Sequence, residues 1–334
     1  LAASSALPFA REDFEETIRL GKVALDSNLQ SFAASFEQAR QQCSGVQLAE
    51  PATPAEPPEF SLPAATTSAG KQLLQRIEAF PRESWEMLYL GVKKLIDYQD
   101  HAYAGFYLHR MEALRDAARS HDAGLLSESA RFLALWMAFE DLPRVAQLKI
   151  SPERFARFRE EVRAEPDQQV AMVEFLHPRV EEFCAAMPAG MGRYMLASPL
   201  WSKVLGFFAR PRNVRTNSLR GYLLLYVMAW CRRFRRGSLA YEIEQGYIEQ
   251  WLAQVTAAAA RDGGIALELA RCGRLIKGYG GTRERGIASL QQILGLYEQM
   301  PALASVDAAA LREAALADDQ GIALDALAGK LRCS

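Results

Sequence analysis

Apolar residues recur at intervals of three and four through most of the chain. That spacing places them on one face of an α-helix, which turns once every 3.6 residues. Leu73, Leu74 and Ile77 share such a face. The same pattern predicts helices over 69–80, 82–98, 102–120, 127–139, 152–164, 168–186, 218–232, 239–261, 264–277, 282–299 and 307–317. Two more are predicted near the start. Pro8 ahead of an acidic turn and Gly21 after the last turn bracket the first of these. Leu29, Phe32, Ala33 and Phe36 line the second, over 26–42. Strict alternation of apolar and polar residues, the mark of a half-buried strand, is not sustained. The best strand candidate is RNVRTNS, 212–218, which reads equally as an extended connector. No regular repeat is present, which disfavours a solenoid.

Composition divides this helical pattern into three parts. Residues 46–70 carry five prolines, Pro51, Pro54, Pro57, Pro58 and Pro63, and little aromatic content. Such a stretch buries too little apolar surface to fold alone and tends to extend. Residues 1–45 hold too few helices for an independent domain and read as the tail of one that begins upstream. Residues 71–334 are helical almost throughout. The expected fold class is all-α: an irregular multi-helix bundle with a short N-terminal helical appendage on a proline-rich linker.

Charge and cysteine content narrow the function classes. The 334 residues have a formal net charge of −1, which argues against a general polyanion binder, so nucleic acid is not an expected partner. The five cysteines are odd in number, widely spaced and never in a Cys-x-x-Cys pair. That pattern fits reduced thiols in the cytoplasm and offers no zinc or iron–sulfur signature. The longest apolar run, residues 221–231, is shorter than the roughly 20 residues a membrane span needs, and reads as a buried helix with no membrane role. No signal peptide is visible, and the chain begins at Leu1 rather than methionine, as a piece of a longer protein would.

Few residues nominate themselves for chemistry. The four histidines, His101, His109, His121 and His177, form no metal-binding pair and read as surface residues. There is no nucleophile elbow, no phosphate-binding glycine loop of known type and no magnesium signature of thiamine diphosphate enzymes. Glu140–Asp141 and Glu181–Glu182 are sequence neighbours, which point apart on a helix and do not make an acid–base pair. No catalytic residue and no metal ligand is assigned.

Two stretches have a binding reading beside a structural one. CRRFRRG, 231–237, follows the most apolar helix. Its arginines suit a helix carboxyl end, paired with acids such as Glu242 and Glu244, or an anion site interleaved with Phe234. RLIKGYGGTRERG, 274–286, holds three glycines within four residues. Gly278 suits a left-handed position after a helix, and Thr282 suits an N-cap for the next, which makes the stretch a joint. The start of the second helix also offers free N–H groups beside cationic side chains. Lys277, Gly278, Tyr279, Gly280, Thr282, Arg283 and Arg285 therefore form a candidate anion site for coenzyme A or a nucleotide. The two readings are compatible.

The same stretch carries a family resemblance. It is similar to the RLIKGYGDTHxRG segment of indolepyruvate oxidoreductase beta-type subunits. Five further stretches agree with that family in order: LIDYQDHAYAGFYLHRM (95–111), ARFLALWMAFEDLPRVAQLK (130–149), RFARFREEV (154–162), VEFLHPRVEEFC (173–184) and YIEQWLAQVTAAAARD (247–262). Residues 3–40 resemble the end of the gamma-type domain of 2-oxoacid:ferredoxin oxidoreductases. The resemblance implies the carboxyl-terminal part of a longer subunit. It implies oxidative decarboxylation of an arylpyruvate with coenzyme A to an aryl-acetyl-CoA, with electrons passing to ferredoxin. Thiamine diphosphate, magnesium and iron–sulfur clusters would then belong to a partner alpha-type subunit, with none in this chain. The family's aspartate after Gly-Tyr-Gly is Gly281 here, which weakens any acid–base role at that position.

Overall fold

Short polar side chains stand at the starts of the apolar stretches and set where many of the helices begin. The computed structural model describes residues 2, 9–20, 25–44, 60–118, 122–165, 167–168, 170–177, 179–209, 212–278, 280–300, 303–318 and 320–333. The chain forms two compact units, Leu1–Glu59 and Phe60–Ser334.

In the first unit, α1 (Arg11–Leu20) packs on α2 (Leu25–Ser44). Phe14 stacks on Phe32 at 6.3 Å and Phe32 lies 6.0 Å from Phe36. Arg11 covers the Phe36 ring at 4.9 Å. No residue of α1 is fully buried. A two-helix pair has too little surface to close over such a seam. Pro8 and Gly21, the punctuation expected for α1, lie outside the described residues.

The second unit contains α3 (Ser68–Glu78), α4 (Trp85–Tyr98), α5 (His101–Ala117), α6 (Ala123–Met137), α7 (Leu142–Lys149) and α8 (Pro152–Glu161). Strand β1 (Val173–Leu176) follows, then α9 (Val180–Ala186), α10 (Ala189–Ala197), α11 (Pro199–Phe208) and strand β2 (Arg212–Arg215). The chain ends with α12 (Leu219–Trp230), α13 (Leu239–Ala259), α14 (Gly263–Arg271), α15 (Gly280–Gln299), α16 (Ser305–Ala317) and α17 (Ile322–Cys333). Short 3-10 turns at Cys231–Gly237 and Cys272–Leu275 extend α12 and α14. The fold is all-α; among the described residues the one sheet is the antiparallel pair β1–β2, with Val173 opposite Arg215 and Leu176 opposite Arg212.

The caps explain these boundaries. Thr67, Asp100, Asp122, Asp141, Ser151, Ser218, Ser238 and Asp262 each accept a hydrogen bond from a first-turn N–H. Each such bond satisfies a donor the helix itself leaves free. Residues 60–67, read from sequence as linker, belong to the second unit. Phe60 lies 5.7 Å from the Tyr89 ring, and Leu62 packs against the core. Residues 46–59, the rest of that linker, lie outside the described residues.

The core joins α3–α6 to α13–α16. Trp251 is fully buried, lies 5.8 Å from Trp136 and donates to the Leu269 carbonyl at 2.9 Å. Tyr103 and Tyr107 donate to the carbonyls of Met137 and Ala130 at 2.9 and 3.1 Å. A smaller cluster of Ala146, Leu225 and Ala229 fixes α7 to α12.

Two expectations from the pattern fail here. The helix predicted over 168–186 is β1 followed by α9. Pro178 lacks the N–H and the backbone freedom for a helix to continue through it. The β1 side chains alternate between exposed and half-buried, and Thr216 closes the ribbon by donating its N–H to the Met172 carbonyl at 3.0 Å. The apolar run in α12, expected to be buried, is covered on one side only: Leu225 and Ala229 are buried, whereas Leu223, Tyr226, Val227 and Trp230 are exposed, as is Leu219 just before the run.

The buried tyrosines give the fold an alkaline limit. Burial pushes the phenols of Tyr98, Tyr103 and Tyr107 above their ordinary value of 10.0. An acid whose folded pKa is raised favours folding while it stays neutral, and that contribution is lost as pH rises past its unfolded value. The melting temperature is therefore expected to hold to about pH 9 and fall on titration towards about pH 11. Tyr107→Phe should flatten that fall in thermal melts. An unchanged melting temperature across this range would mean the phenols titrate freely.

Candidate functional site

A cleft of about 740 Å³ opens in the second unit. Its walls come from α7, the end of β1, α9, α12, the Cys231–Gly237 turn, the start of α13 and the Gly278–Arg283 joint. Phe139, Leu142, Leu176, Leu225 and Met228 supply apolar wall, and Glu140, Lys149, His177 and Arg179 supply polar wall.

Arg235 is the most deeply buried charge at the cleft. Its side chain is 1% exposed and that of Asp141 is 7%. Arg235 donates Nε to Asp141 Oδ2 at 2.6 Å and Nη2 to Oδ1 at 3.0 Å. Its Nη1 donates to the Tyr98 carbonyl at 2.7 Å and to Gln99 Oε1 at 2.8 Å. The guanidinium lies 3.9 Å from the centre of the Tyr98 ring. Burial works against its charge, but the Asp141 hydrogen bonds and nearby negative charge outweigh it, so its pKa lies above the ordinary value. Asp141 also accepts from the Arg144 N–H at 2.7 Å, so one carboxylate both caps α7 and holds Arg235.

A second ion pair stands at the joint. Glu244 of α13 accepts from Trp136 Nε1 at 2.9 Å and from Arg283 Nε at 2.9 Å, with Arg283 Nη2 completing a two-pronged pair. Lys149 and Arg154 share Glu174. Arg179 pairs with Glu182 at 3.4 Å and Glu284 at 3.6 Å. Each arginine and lysine at the walls thus already has a carboxylate, and the cleft has no surplus of positive charge.

The structure brings together only part of the predicted anion site. Gly278, Gly280 and Arg283 line the cleft. Lys277 is exposed and is not one of its walls, and Arg285 donates to Thr282 Oγ1 at 3.3 Å, away from them. Tyr279 lies outside the described residues. The glycines do serve the turn: Gly278 and Gly280 have φ of +69° and +57°, in the left-handed region that side chains resist. α14 and its 3-10 extension end at Leu275, and α15 begins at Gly280, so Thr282 sits inside the first turn rather than at the N-cap. Of the arginines in CRRFRRG, Arg235 alone lines the cleft. Its partner is Asp141; Glu242 and Glu244, the partners suggested by sequence, bind Arg193 and Arg283.

His101, His109 and His177 are exposed, with His177 at the cleft wall; His121 lies outside the described residues. Among the described residues, no three His, Cys, Asp or Glu side chains gather to hold a metal ion. Among the same residues, no helix is long and apolar enough to cross a membrane.

A model of a family of unknown function, DUF6537, matches residues 85–295. The chain belongs to the DUF6537 family. The part matched by DUF6537 starts at the first residue of α4 and ends within α15, so it holds every wall of the cleft, both ion pairs and the glycine joint. No curated protein and no solved structure matches the chain.

Proposed function

We propose that this DUF6537 chain is a docking module of a 2-oxoacid:ferredoxin oxidoreductase of the indolepyruvate type. It would join its subunit to the alpha-type subunit and leave the chemistry to that partner. The observation that supports this is the open side of α12. Leu219 is 75% exposed, Leu223 49%, Val227 58% and Trp230 44%. Helices that are apolar all round are normally enclosed, and large exposed apolar patches mark interaction sites. The proposal places thiamine diphosphate, magnesium and iron–sulfur clusters in the alpha-type chain.

The test uses the full-length subunit co-expressed with its alpha-type partner. Leu223→Ser with Trp230→Ser is expected to weaken co-purification by about 10- to 100-fold, since central interface side chains carry most of the binding energy. The melting temperature should hold, because both side chains are exposed. Turnover would be followed as indolepyruvate- and coenzyme A-dependent reduction of a viologen dye without oxygen, and should fall with assembly. A variant that assembles as well as the wild type would overturn the proposal.

A second reading, an anion-binding module for coenzyme A or a nucleotide, has support from one observation. α15 begins at Gly280 on the cleft wall, and Arg179 Nη2 lies 3.6 Å from where a β-carbon on Gly280 would stand. A helix start beside a guanidinium favours an anion, which here would compete with Glu182 and Glu284 for Arg179.

A further inference from the structure

The open side of α12 has a charge pattern of its own. Between Glu182 and Glu242 the sequence holds nine arginines, one lysine and no aspartate or glutamate, in a chain whose formal net charge is −1. Arg235 and Arg193 are taken up by Asp141 and Glu242. Arg220, Arg232, Arg233 and Arg236 form no ion pair among the described residues. Arg220, Arg233 and Arg236 are exposed, and Arg232 is half-buried.

Their placement is ordered. Arg220 lies at the start of α12 and the other three in the turn beyond its end. Between them run Leu219, Leu223, Tyr226, Val227 and Trp230, continued by Phe234, whose ring lies 5.5 Å from Trp230. Leu219 and Trp230 are about 16 Å apart along the helix axis. The opposite side of α12 packs on α7, so this stripe faces outward with cations that have no carboxylate partner at both ends; one of them, Arg233, lies 5.3 Å from the centre of the Trp230 ring.

We infer that this face takes a protein surface whose apolar centre is ringed by aspartate and glutamate carboxylates. The inference rests on the docking reading and adds the chemistry of the partner's surface. Three features favour such an occupant. Arginine far outnumbers lysine, and the planar guanidinium fork matches carboxylates two bonds at a time. Tryptophan, tyrosine and arginine together are the residues enriched at protein interfaces, where lysine is depleted. A second copy bound through the same face would set arginine against arginine, which is repulsive.

The experiment measures affinity of the full-length subunit for the alpha-type subunit at about 50 and about 500 mM salt, where screening differs strongly. It compares the wild type, Arg220→Glu/Arg233→Glu/Arg236→Glu, and Leu223→Ser/Trp230→Ser. Vesicles of phosphatidylcholine alone, and with about 30% phosphatidylglycerol, form a second arm. The wild type is expected to bind about 10-fold more weakly at high salt. Charge reversal should cost at least about 10-fold at low salt and converge with the wild type at high salt. If reversal and salt change nothing while the apolar variant loses binding, the carboxylate ring is overturned and the docking reading stands. If the wild type does not bind the alpha-type subunit, both fail. Binding to the anionic vesicles without binding to the subunit overturns the inference in favour of a lipid surface.

Discussion

Arg235→Ala is expected to destabilise the second unit by about 3–5 kcal/mol, the usual cost of leaving one charge of a buried pair without its partner. The variant would strand Asp141, whose side chain is 7% exposed, and free the Tyr98 carbonyl and Gln99 Oε1. It would also remove the cation from the face of the Tyr98 ring. Asp141→Ala should cost a similar amount, plus about 1 kcal/mol for the lost cap of α7. Arg235→Met with Asp141→Ser should recover part of the loss, because serine keeps the cap and no lone charge stays buried. Urea unfolding midpoints of the three variants and the wild type compare these costs; adding the double variant Arg235→Ala/Asp141→Ala closes the cycle that gives the coupling between the two residues. A wild-type midpoint for Arg235→Ala would mean that the pair does not hold the fold. Arg235 would then be free to meet a ligand in the cleft, and the anion reading of CRRFRRG would revive.

That pair also marks the limit of what the sequence made legible. Local chemistry carried the helices well: Asp100, Ser218 and Asp262 stand at helix starts close to those predicted, and the apolar face of α3 is buried at Leu73 and Ile77. The pattern missed α7, α10, α11 and α17, of which α7 and α10 have only 8 and 9 residues, little more than two turns. α7 and α11 did carry a signal, an Asp or Ser cap position just before a proline in the first turn. The cleft depended on contacts that no spacing encodes. Asp141 and Arg235 are 94 residues apart, and Glu244 and Arg283 are 39 apart. The apolar period in α12 reports that its residues avoid water, which its own core and another protein's surface satisfy equally. The absence of acids between Glu182 and Glu242 was open to inspection throughout. It acquires meaning only once the arginines are placed at the two ends of an open apolar stripe.

Gly286→Ala should separate the two readings of the glycine stretch. A β-carbon at Gly286 would stand 2.2 Å from the Leu275 carbonyl oxygen and 3.2 Å from its carbon. Both are backbone atoms of the preceding 3-10 turn, so no side chain can swing aside. Overpacking of this kind costs about 1–3 kcal/mol, and more where the backbone itself must move. Alanine gains about 1 kcal/mol over glycine inside a helix, which offsets only part of that. A net loss of about 2 kcal/mol is expected from the urea midpoint. Gly281→Ala is the control. Its β-carbon would meet only Arg285 Nη1, at 3.3 Å, the end of a flexible side chain, so its stability should stay level or rise. Lys277→Ala with Arg285→Ala tests the other reading through the apparent KM for coenzyme A in the assembled enzyme. If Gly286→Ala is destabilising and the KM is unchanged, the stretch is a joint: Gly286 is glycine because α15 must pass within van der Waals contact of the Leu275 backbone, and Gly278 and Gly280 because the turn needs positive φ. If the KM rises several-fold while the urea midpoint holds, those cations bind the anion from the exposed side of the joint. If Gly286→Ala leaves the midpoint unchanged, the close approach to Leu275 does not limit the fold, and the joint loses its steric reason for glycine at that position.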